Sequence, residues 1–135
     1  MKLLIDANVL LDVLQKREPY YSDSAVIWKL CETEQAVGYV SALTFANMVY
    51  IMRKEISPEK IEEVLRALGL IFEIIGLSAA DLIHALEMKW DDFEDAVQSA
   101  TAERVHADYI VTRNIRDFKK SKVMALTPQE IIARL

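Results

Sequence analysis

A three-layer α/β/α sandwich on a parallel sheet of about five strands is the fold this sequence predicts. Short apolar runs alternate with longer stretches of helical periodicity, from Leu3–Ile5 to the C-terminal turn. Successive strands are separated by one or two helices, which is how parallel crossovers are made. Two of the strands, 3–5 and 109–111, run directly into polar side chains, as strand ends do when an open sheet carries its chemistry on one edge.

Taken in order, Leu3–Ile5 is a buried strand, and Asn8–Gln15 a helix with Val9, Leu10, Val13 and Leu14 on one face. Glu18-Pro19 ends it, because the residue before a proline is driven out of the helical region. A second helix covers Ser22–Glu34, and Ala36–Val40 is a strand leading through Ser41 into a helix over Leu43–Lys54. Ser57-Pro58-Glu59 supplies a capping hydroxyl and a proline at the first helical position, so a helix follows to about Leu68 with Gly69 near its end. Phe72–Ile75 is a third strand. Ser78-Ala79-Ala80-Asp81 has the spacing of a capping box and opens a helix towards Lys89; Asp92 opens another, with Phe93, Ala96, Val97 and Ala100 at helical spacing. Tyr109–Val111 and Lys122–Ala125 are the fourth and fifth strands, and Thr127-Pro128-Gln129-Glu130 starts a terminal helix. No linker or repeat interrupts this series, so residues 1–135 are expected to form a single domain.

Composition narrows the function. Hydrophobic residues make up 53% of the chain with three Gly and three Pro, which excludes a disordered or fibrous protein. No apolar run approaches the ~20 residues of a membrane span, and no basic segment precedes an apolar leader, so a cytoplasmic protein without membrane contact is expected. The single cysteine, Cys31, forms no intramolecular disulfide and falls in an apolar-periodic stretch, where a buried thiol is expected. The net charge of −5 argues against broad phosphate binding, yet Arg113, Arg116, Lys119, Lys120 and Lys122 gather between residues 113 and 122, after the fourth strand, with one acid, Asp117, among them. They form either a local phosphate-facing patch or a solvated loop rim.

Asp6 stands out as a carboxylate ending an apolar strand, which costs desolvation energy unless a donor or cation compensates it. It is either a helix cap or a metal ligand. Asn8 reads as satisfying the same helix start, and Asp12 as a solvated or salt-bridged acid. Asp92 and Asp95 begin a helix, where a cap and the free first-turn amides explain both. With Asp6 and the segment 112–117 on one sheet edge, these oxygens suit Mg²⁺ or Mn²⁺, which need neither His nor Cys. His84 and His106 lack metal-type spacing and read as structural or exposed.

Four segments carry a resemblance to a known family: Leu4-Ile5-Asp6-Ala7-Asn8-Val9-Leu10-Leu11-Asp12, Val40-Ser41-Ala42-Leu43-Thr44, Asp92-Phe93-Glu94-Asp95-Ala96, and Ile110-Val111-Thr112-Arg113-Asn114-Ile115-Arg116-Asp117-Phe118. In order and spacing the chain resembles the PIN domain (PilT N-terminus-like) nucleases, and especially the VapC-type toxin ribonucleases. The resemblance implies an Mg²⁺- or Mn²⁺-dependent endoribonuclease restrained by a small antitoxin protein. Asp6 matches its first acid and Asp95 its central acid. The family's usual glutamate after the second strand falls at Asn47, and the acid two residues after the threonine falls at Asn114, with Asp117 three residues beyond. On this reading Asp6, Asp95, Asp117 and Asn47 are the metal-binding set, with Asn114 beside the catalytic acids. Asn8 would orient Asp6, Ser41 and Thr112 would bond phosphate or the ligand carboxylates, and Arg113 or Arg116 would hold the RNA backbone.

Two other readings are open. The amides at 47 and 114 point to a PIN-like binding module with weakened turnover. A phosphoryl-transfer or receiver-type protein is disfavoured, since Asn8 stands where haloacid-dehalogenase-like enzymes carry a second Asp. The helix 42–52 carries more apolar residues than one face can bury, so a homodimer is expected.

Overall fold

A computed structural model describes residues Met1–Leu135. Its elements are β1 (Lys2–Ile5), α1 (Ala7–Leu14), α2 (Tyr21–Glu32), β2 (Val37–Ser41), α3 (Ala42–Met52), α4 (Pro58–Ile71), β3 (Glu73–Ile75), α5 (Ala79–Met88), α6 (Phe93–Arg104), β4 (Tyr109–Val111), a 3₁₀ turn (Ile115–Phe118), β5 (Ala125–Leu126) and α7 (Pro128–Ile132). The sheet runs in the order β3-β2-β1-β4-β5 with every pairing parallel. The expected three-layer parallel fold is therefore what the chain adopts.

Alternation along β1 divides the core between the two faces of the sheet. Leu3 and Ile5 join the larger apolar cluster, with Val9, Leu10, Ile27, Met48, Leu65, Leu68 and Ile131 from α1, α2, α3, α4 and α7. Leu4 points the other way, with Ile110, Ala102 and Phe118. Small residues on α6 let it lie close: Ala96, Ser99, Ala100 and Ala102 are all buried. At Gly38 on β2 an added Cβ would stand 2.6 Å from a ring carbon of Phe72 and 2.7 Å from the Cys31 sulfur, so only glycine fits there. Cys31 is buried as expected, and desolvation pushes its thiol up to about 12.

Several boundaries differ from expectation. α4 continues through Gly69 to Ile71, because that glycine faces open space and has no left-handed φ to end the helix. β5 is Ala125–Leu126 rather than Lys122–Ala125: the ladder sets Ile110 beside Ala125 and Val111 beside Leu126, and Lys122 is exposed in the preceding loop. Phe93 is exposed rather than on the packed face of α6. The capping box at Ser78 does not form. Ser78 accepts from the Ala80 amide (3.1 Å), while the buried Asp81 carboxylate is taken by Arg104 Nε (2.9 Å) and Thr101 Oγ1 (3.3 Å). No helix is long and apolar enough to cross a membrane.

Candidate active site

Parallel strands leave their carboxyl ends on one edge, and the first of these is β1. Asp6 follows it in extended conformation (φ −76°, ψ 153°) and caps α1. Its Oδ1 accepts from the Ala7 amide (2.9 Å), and its Oδ2 accepts from Thr112 Oγ1 (2.8 Å) and Asn8 Nδ2 (3.3 Å). The carboxylate is thus the helix cap, with its second oxygen held by Thr112 and Asn8. Burial pushes its pKa up, against the bonds from Thr112 and Ala7; the Asp117 charge adds to the rise, and Arg113 opposes it.

Thr112, completely buried at the end of β4, also accepts from the Asn114 amide (3.0 Å), and Asn8 Oδ1 accepts from the Arg113 amide (3.4 Å). These bonds tie the loop after β4 to the start of α1. Asn8 thus hydrogen-bonds the Asp6 carboxylate, and the Thr112 hydroxyl is engaged on it rather than free for phosphate.

The second acid comes from α6. Asp92 is the cap, its Oδ1 accepting from the Asp95 amide (3.1 Å), which leaves the Asp95 carboxylate uninvolved in capping. Its pKa is pushed up to about 7, first by burial and then by the charges of Asp92, Asp117, Asp6 and Glu94. Asp6, Asp95 and Asp117 therefore share one electrostatic neighbourhood, drawn from β1, α6 and the 3₁₀ turn. Beside it lies a cleft of about 270 Å³ in which Asp95 and Asp117 face Arg116, Lys119 and Lys120, with Trp90 on the wall. The basic segment after β4 is in part a lining of this cleft.

Other expected members stand elsewhere. Ser41 is buried, capping α3 through the Thr44 amide (3.1 Å) and donating to Gln98 Oε1, so it is a core hydroxyl and not a substrate contact. Arg113 Nε and an η nitrogen grip the fully buried Asp12 (2.9 and 3.2 Å), to which Ser24 also donates, and the guanidinium lies 3.9 Å from the centre of the Tyr20 ring. It is a structural tie rather than a free backbone clamp. Asn114 lines a separate cleft with Arg113. Asn47, half-buried on α3, donates to Glu94 Oε2 (3.4 Å), and the Glu94 charge is one of those that raise Asp95. Glu94 went unnoticed in the sequence because a solvent-facing acid in a first helical turn is explained by the helix dipole alone.

No three His, Cys, Asp or Glu side chains stand close enough to hold a metal by themselves. The donor set nevertheless fits a small hard cation. It is all oxygen, its charges repel one another, and Asp95 carries the raised pKa of an uncompensated acid. Mg²⁺ is commonly bound through only one or two carboxylates, with waters and substrate phosphate completing its shell.

A family model described as PIN domain matches residues 2–116. The chain belongs to the PIN domain family. Among solved structures it is similar to VapBC from Salmonella typhimurium bound to DNA (17% identity, 95% of this chain and 98% of that chain, TM-score 0.72). A toxin-antitoxin complex from Klebsiella pneumoniae is likewise similar (21% identity, 93% and 97%, TM-score 0.71). So is VapC20 of Mycobacterium tuberculosis, described as a Sarcin-Ricin loop cleaving toxin (12% identity, 80% and 86%, TM-score 0.64). At these identities the likeness is one of fold. No curated protein matches the sequence.

Proposed function

We propose that this protein is a metal-dependent endoribonuclease of the toxin type, acting in the cytoplasm and restrained by a small antitoxin. The observation that carries the reading is the mutual repulsion of Asp6, Asp95 and Asp117 at the carboxyl edge of the sheet, beside a cleft containing Arg116, Lys119 and Lys120. Acids alone would repel RNA, and cations alone would bind it without cleaving it; together they accept a metal and a phosphate.

Asp6 and Asp95 would hold Mg²⁺ or Mn²⁺, with Asp117 and Glu94 adding negative charge. A divalent ion there supplies Lewis-acid polarisation of the scissile phosphate and an activated water. The chain's own residues do the positioning. Thr112 and Asn8 fix the Asp6 carboxylate so that it does not reorganise on binding. Arg116, Lys119 and Lys120 receive the flanking phosphates, which sets register rather than sequence. Asp95, its pKa pushed up to about 7, would hold the cation as the deprotonated carboxylate, so that binding near neutral pH would release a proton to solvent.

The test is incubation of the purified protein with a mixed RNA pool in Mg²⁺ or Mn²⁺, with and without EDTA, alongside Asp6→Asn and Asp95→Asn. Cleavage that requires the metal and both acids is expected; EDTA-resistant cleavage, or full activity in either variant, overturns the reading. The amides at Asn47 and Asn114 favour one alternative, a PIN-like RNA- or protein-binding module with weak turnover. It predicts RNA retention without cleavage in the same assay.

A further inference from the structure

The loop after β4 divides two clefts. Arg116 and Asp117 face the acid cleft, whereas Arg113 and Asn114 line a second one of about 300 Å³ on the other side. Tyr20, stacked under the Arg113 guanidinium, and Asp23 from the start of α2 also line this second cleft, as does Gln129 of α7. Pro19 and Pro128 border it, which makes the walls stiff.

Its chemistry differs from that of the acid cleft. Arg113 is already committed to Asp12 and stacked on Tyr20, so it is fixed and largely neutralised. Asn114 and Gln129 are exposed and present neutral amide donors and acceptors. Asp23 is the acid of this cleft, half-buried and in none of the chain's ion pairs. A pocket with flat rigid walls, two amides and one carboxylate is poor for phosphate and good for a flat heterocycle with N–H groups. The connection to Asp6 is short: the Asn114 amide bonds Thr112 Oγ1, and that hydroxyl bonds Asp6 Oδ2.

Resting on the ribonuclease reading above, we propose that this second cleft takes a base of single-stranded RNA beside the scissile phosphate, with guanine preferred. Unpaired bases are read in this way, on a stacking surface and through hydrogen bonds to their Watson–Crick edge. Guanine alone among the four offers two adjacent N–H donors, N1–H and N2–H, which match the two oxygens of a carboxylate such as Asp23. A bidentate charge-assisted pair is the strong kind. The amides of Asn114 and Gln129, which line the same cleft, would supply donors to the O6 and N7 side of the base. An amide at 114 thus serves recognition where a carboxylate would repel the neighbouring phosphate.

The experiment uses the intact protein in EDTA, so that no cleavage is needed. Side-chain amide resonances of Asn114 and Gln129 are followed by ¹⁵N NMR during titration with 5′-GMP, AMP, CMP and UMP, for wild type, Asp23→Asn and Gln129→Ala. Saturable GMP binding that moves both amide signals, on the order of tenfold tighter than the other nucleotides and reduced to their level in Asp23→Asn, is expected. Equal affinity for all four, no binding, or shifts confined to Trp90 and Arg116 would overturn it; Gln129→Ala gives an independent loss should Asp23→Asn misfold. Mapping cuts in a random single-stranded RNA pool separates the two readings. Metal-dependent cleavage with no guanine beside the cut removes the base pocket and keeps the nuclease, whereas GMP binding without any RNA cleavage does the reverse.

Discussion

Asp6 caps α1 and, on the proposed reading, holds the metal with the same carboxylate, and the two roles have different sensitivities. Asp6→Asn keeps an acceptor for the Ala7 amide and removes a buried charge, so the fold should hold while metal-dependent cleavage is lost. Thr112→Val tests the support beneath it: without the 2.8 Å bond, metal affinity should fall by about 10–100-fold, read by Mn²⁺ titration. Asp95 titrates near neutrality, which has a definite sign. Its folded pKa is raised above the unfolded value, so its contribution to stability is full below about pH 4 and is lost as pH rises through about 7. Chemical denaturation of the metal-free protein should show stability falling across that window, and Asp95→Asn should flatten the profile. Mn²⁺ affinity should run the other way, increasing up to about pH 7 as the proton leaves. A metal affinity independent of pH between 5 and 8 would remove Asp95 from the site. Arg113 belongs to stability: Arg113→Met leaves Asp12 buried and unpaired and should cost about 3–5 kcal/mol by urea titration.

Among the elements, α3 and the first turn of α6 decide what the amide at 47 means. Asn47 is half-exposed and holds Glu94 at 3.4 Å, so a carboxylate placed there meets Glu94 and not a wall of apolar side chains. Asn47→Glu should therefore lower the melting temperature of the metal-free protein modestly through like-charge repulsion, and enlarge the gain on adding Mn²⁺. Thermal melts across a Mn²⁺ titration measure both; destabilisation with no added metal response would separate Asn47 and Glu94 from the cation. β2 and α2 give an element-scale test of packing. Gly38→Ala drives a methyl into Phe72 and Cys31 and should cost about 1–3 kcal/mol.

For the whole molecule, the apolar surface left uncovered is the informative quantity. α3 shows Val49, Tyr50 and Ile51 to solvent, and α5 shows Ile83 and Leu86. Such exposure on two helices is more than scattered single residues and favours association. Sedimentation at micromolar concentration should give a homodimer, and co-expression with the protein of the adjacent reading frame should give a tighter complex with RNA cleavage suppressed. A monomer under all conditions would leave these faces without a partner of the same chain.

Periodicity and local punctuation were enough to predict the layered parallel fold, since apolar alternation, Ser57-Pro58 and Thr127-Pro128 act over a few residues each. The motif around Asp6 was equally legible, because an acid ending an apolar strand is unusual wherever it occurs. What the side chains face was decided only by the tertiary structure. Ser41 reads in sequence as a substrate or ligand contact yet is closed in with Gln98, and of the two partners open to Thr112, phosphate or a ligand carboxylate, the fold selects the carboxylate of Asp6. Arg113 looked like a phosphate clamp until the fold set Asp12 and Tyr20 around it. Asp81 left its capping box for Arg104, which lies 23 positions away. Hydrogen bonds and ion pairs depend on distance in space, and local sequence carries no measure of that distance; the clustering of Asp6, Asp95 and Asp117, and the division of the 113–117 loop between two clefts, exist only once β1, β4 and α6 are packed side by side.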